Sequence, residues 1–270
     1  MSTEHSGQPR VGCAVDANGR ITFDLPPGPA DGQQLLLRRR PKKGQSEKAF
    51  RTLDLEPAGG RRRAVLGPQS VLPEGRWDVY LLRNPSSEPQ RVRPGLRDLR
   101  ALVVGHLRDW PSPLAVRIPY VTKDGYLAVR AWLRPAHAEV DGINVTDRSM
   151  TVGARLHGTS LLEGAVVRLR LRGGGTVRAL EPWAGNDDRS FSFTVDYEEL
   201  AAEVSAGSGV WDVFIQPASE APLIRVARLL DDVADRKEVF VYPPVTVGGV
   251  ILRPYYTVDN DLAVEVERAG

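Results

Sequence analysis

Arginine dominates the residues of this chain that could recognise something. Two basic runs, Arg38-Arg39-Arg40-Pro41-Lys42-Lys43 and Arg61-Arg62-Arg63, flank one loop-rich region. If the strands that carry them pair as a hairpin, their charges face each other and make a site for a phosphate-rich polymer or an acidic protein surface. Otherwise they form a solvated turn whose charges protect a strand edge from aggregation. The chain as a whole has 36 basic and 34 acidic residues, so no overall field draws it to nucleic acid, which is not an expected partner.

The other reactive residue types are sparse. The single cysteine, Cys13, excludes an internal disulfide and a multi-cysteine metal site, and it reads as a small apolar residue on a strand. The four histidines, at 5, 106, 137 and 157, are scattered in sequence and are expected on the surface or in turns. No nucleophile elbow, phosphate-binding loop, dinucleotide fingerprint or histidine pair at metal spacing occurs. No catalytic residue, metal ligand or cofactor is therefore assigned. Gly173-Gly174-Gly175 reads as a hairpin turn rather than a phosphate cradle.

The elements that would position such residues announce themselves by repetition. Glu74-Gly75-Arg76-Trp77-Asp78-Val79-Tyr80 matches Ser208-Gly209-Val210-Trp211-Asp212-Val213-Phe214, and Arg91-Val92 matches Arg225-Val226 in the same alignment. The stretch from Pro119 to Val129 then matches that from Pro254 to Val264 after a one-residue insertion. A unit this long is a domain with its own core rather than a solenoid repeat.

Short alternating stretches such as Ile21–Leu25, Leu35–Arg38, Thr151–Leu156 and Val167–Leu171, separated by Gly and Pro turns, read as strands. The expected fold is all-β: two tandem immunoglobulin-like β-sandwich domains from an internal duplication. A disordered segment 1–10 precedes domains at 11–134 and 139–268, with a short link near Pro135-Ala136-His137-Ala138.

Alternation in Trp77-Asp78-Val79-Tyr80 and its counterpart turns Trp inward and Asp outward. Asp78 and Asp212 are thus expected to be exposed partners of neighbouring arginines. Asp124-Gly125 and Asp259-Asn260 are tight-turn pairs that join the last two strands of each copy. One short helix is expected over 197–204, capped by Asp196.

Trp77 and Trp211 belong to the two cores. Trp110, Trp132 and Trp183 lack counterparts in the other copy, which leaves them for stacking on sugar rings or filling the seam between domains, Trp132 lying nearest the link. No apolar run has the length of a signal or a membrane span, and a cytoplasmic location is expected.

The two endings, Ile118-Pro119-Tyr120-Val121-Thr122-Lys123-Asp124-Gly125-Tyr126-Leu127-Ala128-Val129 and Arg253-Pro254-Tyr255-Tyr256-Thr257-Val258-Asp259-Asn260-Asp261-Leu262-Ala263-Val264, resemble the ends of immunoglobulin-like tail domains. Such domains follow the catalytic portion of bacterial wall-teichoic-acid glycosyltransferases and glycerophosphotransferases. The resemblance implies a tandem accessory role in oligomer formation and polymer engagement, without transfer chemistry. Expected partners are a separate assembly enzyme, an anionic glycopolymer or further copies of the chain. Two alternatives stand beside this: an enzyme with a pocket at the domain seam or in the sandwich loops, and a polyanion binder through the basic hairpin of the first domain.

Overall fold

The computed structural model describes residues 8–28, 32–41, 44, 49–204 and 208–269, without the side chain of His106. Lys42 and Lys43, and the first seven residues of the segment expected to be disordered, lie outside the described residues. The chain is nearly all β and divides into two compact units. One runs to Gly105 and includes Ala115–Leu133; the other takes His106–Leu114 and everything from Arg134.

The first unit contains β1 (Arg10–Val15), β2 (Ile21–Leu25), β3 (Gln34–Arg39), β4 (Phe50–Asp54), β5 (Glu56–Ala58) and β6 (Arg61–Leu66), then β7 (Gly75–Leu82), β8 (Gln90–Arg91), β9 (Arg93–Asp98) and α1 (Arg100–Val103). Strands β10 (Leu114–Val121) and β11 (Leu127–Arg134) complete it. One sheet has the order β5-β6-β2-β1-β9 and the other β10-β11-β7-β3-β4, with β8 beside β7. Alternation explains the layers: Ile21, Phe23 and Leu25 are buried from one sheet, and Trp77, Val79 and Leu81 from the other. The Trp77 indole N–H donates to the Pro73 carbonyl at 3.0 Å, so the largest core side chain buries no unmet donor.

The basic runs do not form a hairpin. Arg38 and Arg39 end β3, which pairs with β4 and β7, whereas Arg61–Arg63 open β6, which pairs with β2 and β5 in the other sheet. Apolar register decides this: Leu35 and Leu37 lie opposite Leu81 and Val79, while Ala64 and Leu66 lie opposite Phe23 and Ile21. Shifting either strand to bring the charges together would turn these buried side chains to water. The arginines are dispersed accordingly. Arg39 binds the Glu74 carbonyl, Arg62 the Pro26 carbonyl and Gln33, and Arg63 the Asp24 carboxylate.

The second unit contains β12 (His137–Val145), β13 (Ser149–His157), β14 (Val166–Leu171), β15 (Val177–Leu180), β16 (Trp183–Ala184) and β17 (Ser190–Asp196). It continues with α2 (Tyr197–Ala202), β18 (Gly209–Gln216), β19 (Ile224–Ala227), β20 (Val245–Val247), β21 (Val250–Tyr256) and β22 (Leu262–Arg268). Strand β19 runs parallel to β12 and antiparallel to β18, so it joins two layers, β16-β17-β13-β12 and β15-β14-β18-β22-β21-β20. Met150, Val152, Ala154, Phe191 and Phe193 from the first layer share a core with Val167, Leu169, Trp211, Val213 and Val264 from the second.

Local signals act as the residue types require. Asp196 caps α2 by accepting from the Glu198 N–H at 2.8 Å. The glycine run lies in the turn of the β14–β15 hairpin, with Gly173 at φ 75°. In the β10–β11 and β21–β22 turns the left-handed position is taken by Gly125 (φ 81°) and by Asn260 (φ 62°), the two residue types that accept it most readily. Both make the same backbone bond, to the Thr122 and Thr257 carbonyls at 2.8 and 2.9 Å. Among the described residues no helix is long and apolar enough to cross a membrane.

Candidate functional site

Two kinds of polar constellation sit on the outer faces of these sheets. The first occurs in both units. On β7, Asp78 receives both edges of a forked hydrogen bond from Arg40, at 2.8 and 2.7 Å, and Arg91 approaches at 3.4 Å. On β18, Asp212 receives Arg172 at 3.0 and 2.6 Å, and Arg225 approaches at 3.4 Å. The side chains of the two aspartates are only 12% and 11% exposed, which corrects the expectation of exposed carboxylates. They do point away from the core, but the arginines close over them, because an outward Asp in the middle of a sheet can lose its water only if cations replace it.

Aromatic rings extend each array. Arg38 lies over Tyr80 at 5.1 Å, and Arg91 and Arg93 both lie over the Tyr126 ring, at 4.0 and 4.1 Å. In the other unit Arg170 and Arg225 both lie over the Phe214 ring, at 5.4 and 4.9 Å. The registers correspond: Arg38 faces Asp78 as Arg170 faces Asp212, and Tyr80 faces Arg91 as Phe214 faces Arg225. Burial pushes the Asp212 carboxyl up, but the hydrogen bond and charge of Arg172, with Arg225, bring it below the usual carboxylate range. Arg40, Arg91, Arg172 and Arg225 remain 27–45% exposed, so each guanidinium is held by the aspartate and still faces solvent.

The second constellation belongs to the second unit alone. Because Ala138, Val140, Ala154 and Leu156 point into the core, alternation sends His137, Glu139, Arg155 and His157 to the opposite face of the same layer. His137 stands directly opposite His157, and Glu139 opposite Arg155, which is in turn opposite Ser190 on β17. The two histidines are buried, with ring centroids 6.2 Å apart, which corrects their expected place at the surface or in turns. The segment that follows β19 reaches this face at Glu139. Glu139 is 1% exposed and accepts from the backbone N–H groups of Leu229 at 2.7 Å and Leu230 at 3.0 Å. It also lies 2.7 Å from His137 Nε2, which is the donor when the carboxylate accepts.

Above this frame opens a cleft of about 540 Å³ lined by Glu139, Asp141, Arg155, Ser190, Arg228 and Asp231, with Leu107–Asp109 along one side. The register of β12 against β13 shifts between Val140 and Gly142, which gives Asp141 its place at a bulge on the rim. Among the described residues no hydroxyl or thiol is hydrogen-bonded to either buried histidine, and no group of three or more His, Cys, Asp and Glu residues is placed to hold a metal ion. Cys13 is buried in the other unit with its thiol pushed up to about 12 by burial, which leaves it a packing residue.

The tryptophans without counterparts separate. Trp183 is exposed on the edge strand β16, Trp110 is half-buried, and Trp132 is buried with Arg130 over its ring at 4.9 Å. Of these only Trp183 offers an open face for stacking. Of the described residues in the two basic runs, Arg38 and Arg40 join an array, through Tyr80 and Asp78. Sequence reasoning missed the histidine pair, because the turn that sets Val145 against Met150 leads His137 to Gly158, and only the bulge at Asp141 moves it opposite His157.

Burial makes His157 sensitive to acid. Its pKa falls from 6.5 to about 4, first through burial and then through His137, Arg155 and Arg189, against an opposing pull from Glu139. Between these values the unfolded chain binds the additional proton, so stability is complete above the unfolded pKa and lost as pH falls toward the folded one. The expected loss is on the order of 1–2 kcal/mol after allowance for solvent screening. Urea midpoints at pH 7 and pH 4.5 should differ more for the native chain than for His157→Gln.

No protein-family model matches this sequence, and no curated protein matches it. Among solved structures, a crystal structure of S. aureus TarS aligns at 15% identity over 59% of this chain and 29% of its own, with a TM-score of 0.39. A crystal structure of S. aureus TarS 217-571 aligns at 14% identity over 75% and 60%, with a TM-score of 0.29. The chain spans less than two thirds of the length of either.

Proposed function

We propose that this chain is a binding module rather than a catalyst, made of two immunoglobulin-like copies of one duplicated unit at 11–134 and 139–268. Its role is accessory: it accompanies a glycosyltransferase or another enzyme of cell-surface polymer assembly and engages an anionic glycopolymer. The observation that carries this reading is the recurrence of one array in both units, in which a buried aspartate holds two partly exposed arginines beside an aromatic ring. A guanidinium has five N–H groups in a rigid fork, and Arg40 and Arg172 spend only Nε and one terminal nitrogen on the aspartate, which leaves the other terminal nitrogen for a phosphate or carboxylate from outside. Holding the fork in place beforehand lowers the ordering cost of binding. The resemblance of the two terminal hairpins to tail domains of wall-teichoic-acid enzymes supports the polymer as ligand.

Binding of purified wall teichoic acid tests this. Affinity should fall as salt rises from 50 to 300 mM, in keeping with a screening length of about 10 Å at 0.1 M. Arg40→Gln and Arg172→Gln should each weaken binding by about tenfold, the loss of one charge-assisted contact, with the circular dichroism unchanged. Binding that ignores both substitutions, or no binding by the native chain at 50 mM salt, would remove the reading.

A further inference from the structure

The cleft of the second unit is separate from the arginine arrays: it opens on the β16-β17-β13-β12 layer, whereas Asp212 and its arginines sit on β18 and its neighbours. We propose that it is a second binding site, for a small polyhydroxy molecule carrying one anionic group, of about monosaccharide size. Nothing in the reading of the arrays requires it.

The first ground is that the walls are fixed before any ligand arrives. Glu139 pins the backbone at Leu229 and Leu230, next to Arg228 and Asp231. Asp231 accepts from the Val233 N–H at 2.9 Å and from the guanidinium of fully buried Arg236, whose Nε also donates to the Arg228 carbonyl at 2.7 Å. On the opposite side Arg155 donates through one terminal nitrogen to Asp187 at 2.7 Å and to Ser190 Oγ at 2.9 Å. Asp187 in turn accepts from the Ser190 and Arg189 N–H groups. Side chains held in this way lose little freedom on binding.

The second ground is the donor capacity left over. The Arg228 guanidinium lies over Phe240 at 5.3 Å with Nε 3.5 Å from Asp231, and it makes no hydrogen bond among the described residues. Arg155 uses one of its three nitrogens, leaving the others without a partner among the described residues. Two partly exposed forks on one cleft call for an anionic group, which a phosphate or a carboxylate satisfies equally.

The third ground is the sign balance. Carboxylates of Asp109, Asp141 and Asp231 line the same cleft, and carboxylates accept from hydroxyls. A bare polyanion would meet repulsion there, whereas a molecule that presents one anion and several hydroxyls uses both signs. The volume is within the range of small-ligand clefts and rules out a folded partner as its content.

Titration of the full chain with glucose 6-phosphate, glucuronate, glucose and inorganic phosphate, followed by amide resonances, tests the proposal. The expected result is that one of the two anionic sugars binds at least about tenfold more tightly than either glucose or phosphate. Which of the two does so identifies the anion. The Leu229 and Leu230 amides should be among those that shift. Arg228→Gln should weaken binding about tenfold or more and Arg228→Lys by less, since lysine keeps the charge without the fork. Arg155→Gln should also weaken it, and the spectrum of each variant reports whether it is folded. The proposal is overturned if none of the four ligands binds, if phosphate alone binds as tightly as the sugars, if the shifts fall elsewhere, or if folded Arg228→Gln binds as the native chain does.

Discussion

Glu139→Gln should destabilise the chain by about 2–4 kcal/mol, the cost of leaving buried donors unmet. The carboxylate accepts from two consecutive backbone N–H groups and pairs with His137 Nε2. An amide of the same shape keeps one oxygen and turns an NH₂ toward a donor, so at least one N–H loses its acceptor inside a dry site. Water cannot substitute easily where Glu139 is 1% exposed. The loss should appear as a lower urea midpoint with little change in slope, and as faster hydrogen exchange at Leu229 and Leu230. A midpoint within 0.5 kcal/mol of the native value would mean that the segment after β19 is held by its apolar contacts alone.

Arg236→Met should cost about 3–5 kcal/mol, the range for removing one partner of a buried ion pair. Arg236 is fully buried, binds Asp231, donates to the Arg228 carbonyl and lies over the rings of Phe240 and Tyr256 at 5.0 and 5.8 Å. Its own backbone N–H donates to Asn260 Oδ1 at 3.1 Å, which ties the segment to the left-handed turn before β22. Methionine fills much of the volume but leaves Asp231 and a carbonyl short of their donor. Since Glu139 and Arg236 hold opposite ends of one short segment, Glu139→Gln and Arg236→Met should not be additive. A double-mutant cycle by urea unfolding should give a coupling of about 0.5–3 kcal/mol; additivity within 0.3 kcal/mol would refute a shared segment.

Much of the fold was legible because it depends on short-range rules. Ile21–Leu25, the WDV strands, the capped helix at Asp196 and the turns at Gly125 and Asn260 each follow from alternation, a capping oxygen or a left-handed φ. The candidate sites were less so. Arg38 and Arg40 were picked out by their density, but their setting differs from a hairpin, since Leu35 and Leu37 commit β3 to β7 and leave Arg61–Arg63 in the other sheet. Asp78 and Asp212 looked exposed because alternation reports only the face on which a side chain starts, and not what folds over it.

The sequence by itself determined that this is a nearly all-β chain with a tryptophan-anchored central strand in each unit, because side-chain period, turn residues and apolar spacing act between neighbours. Only the tertiary structure decided which polar groups meet. Arg172 reaches Asp212 from a different strand, His137 meets His157 through a hairpin register, and Glu139 closes on the backbone of Leu229 from 90 residues away. Such meetings depend on which strands pair and in what register, and that is settled by the burial of the apolar faces rather than by the polar residues that the register brings together.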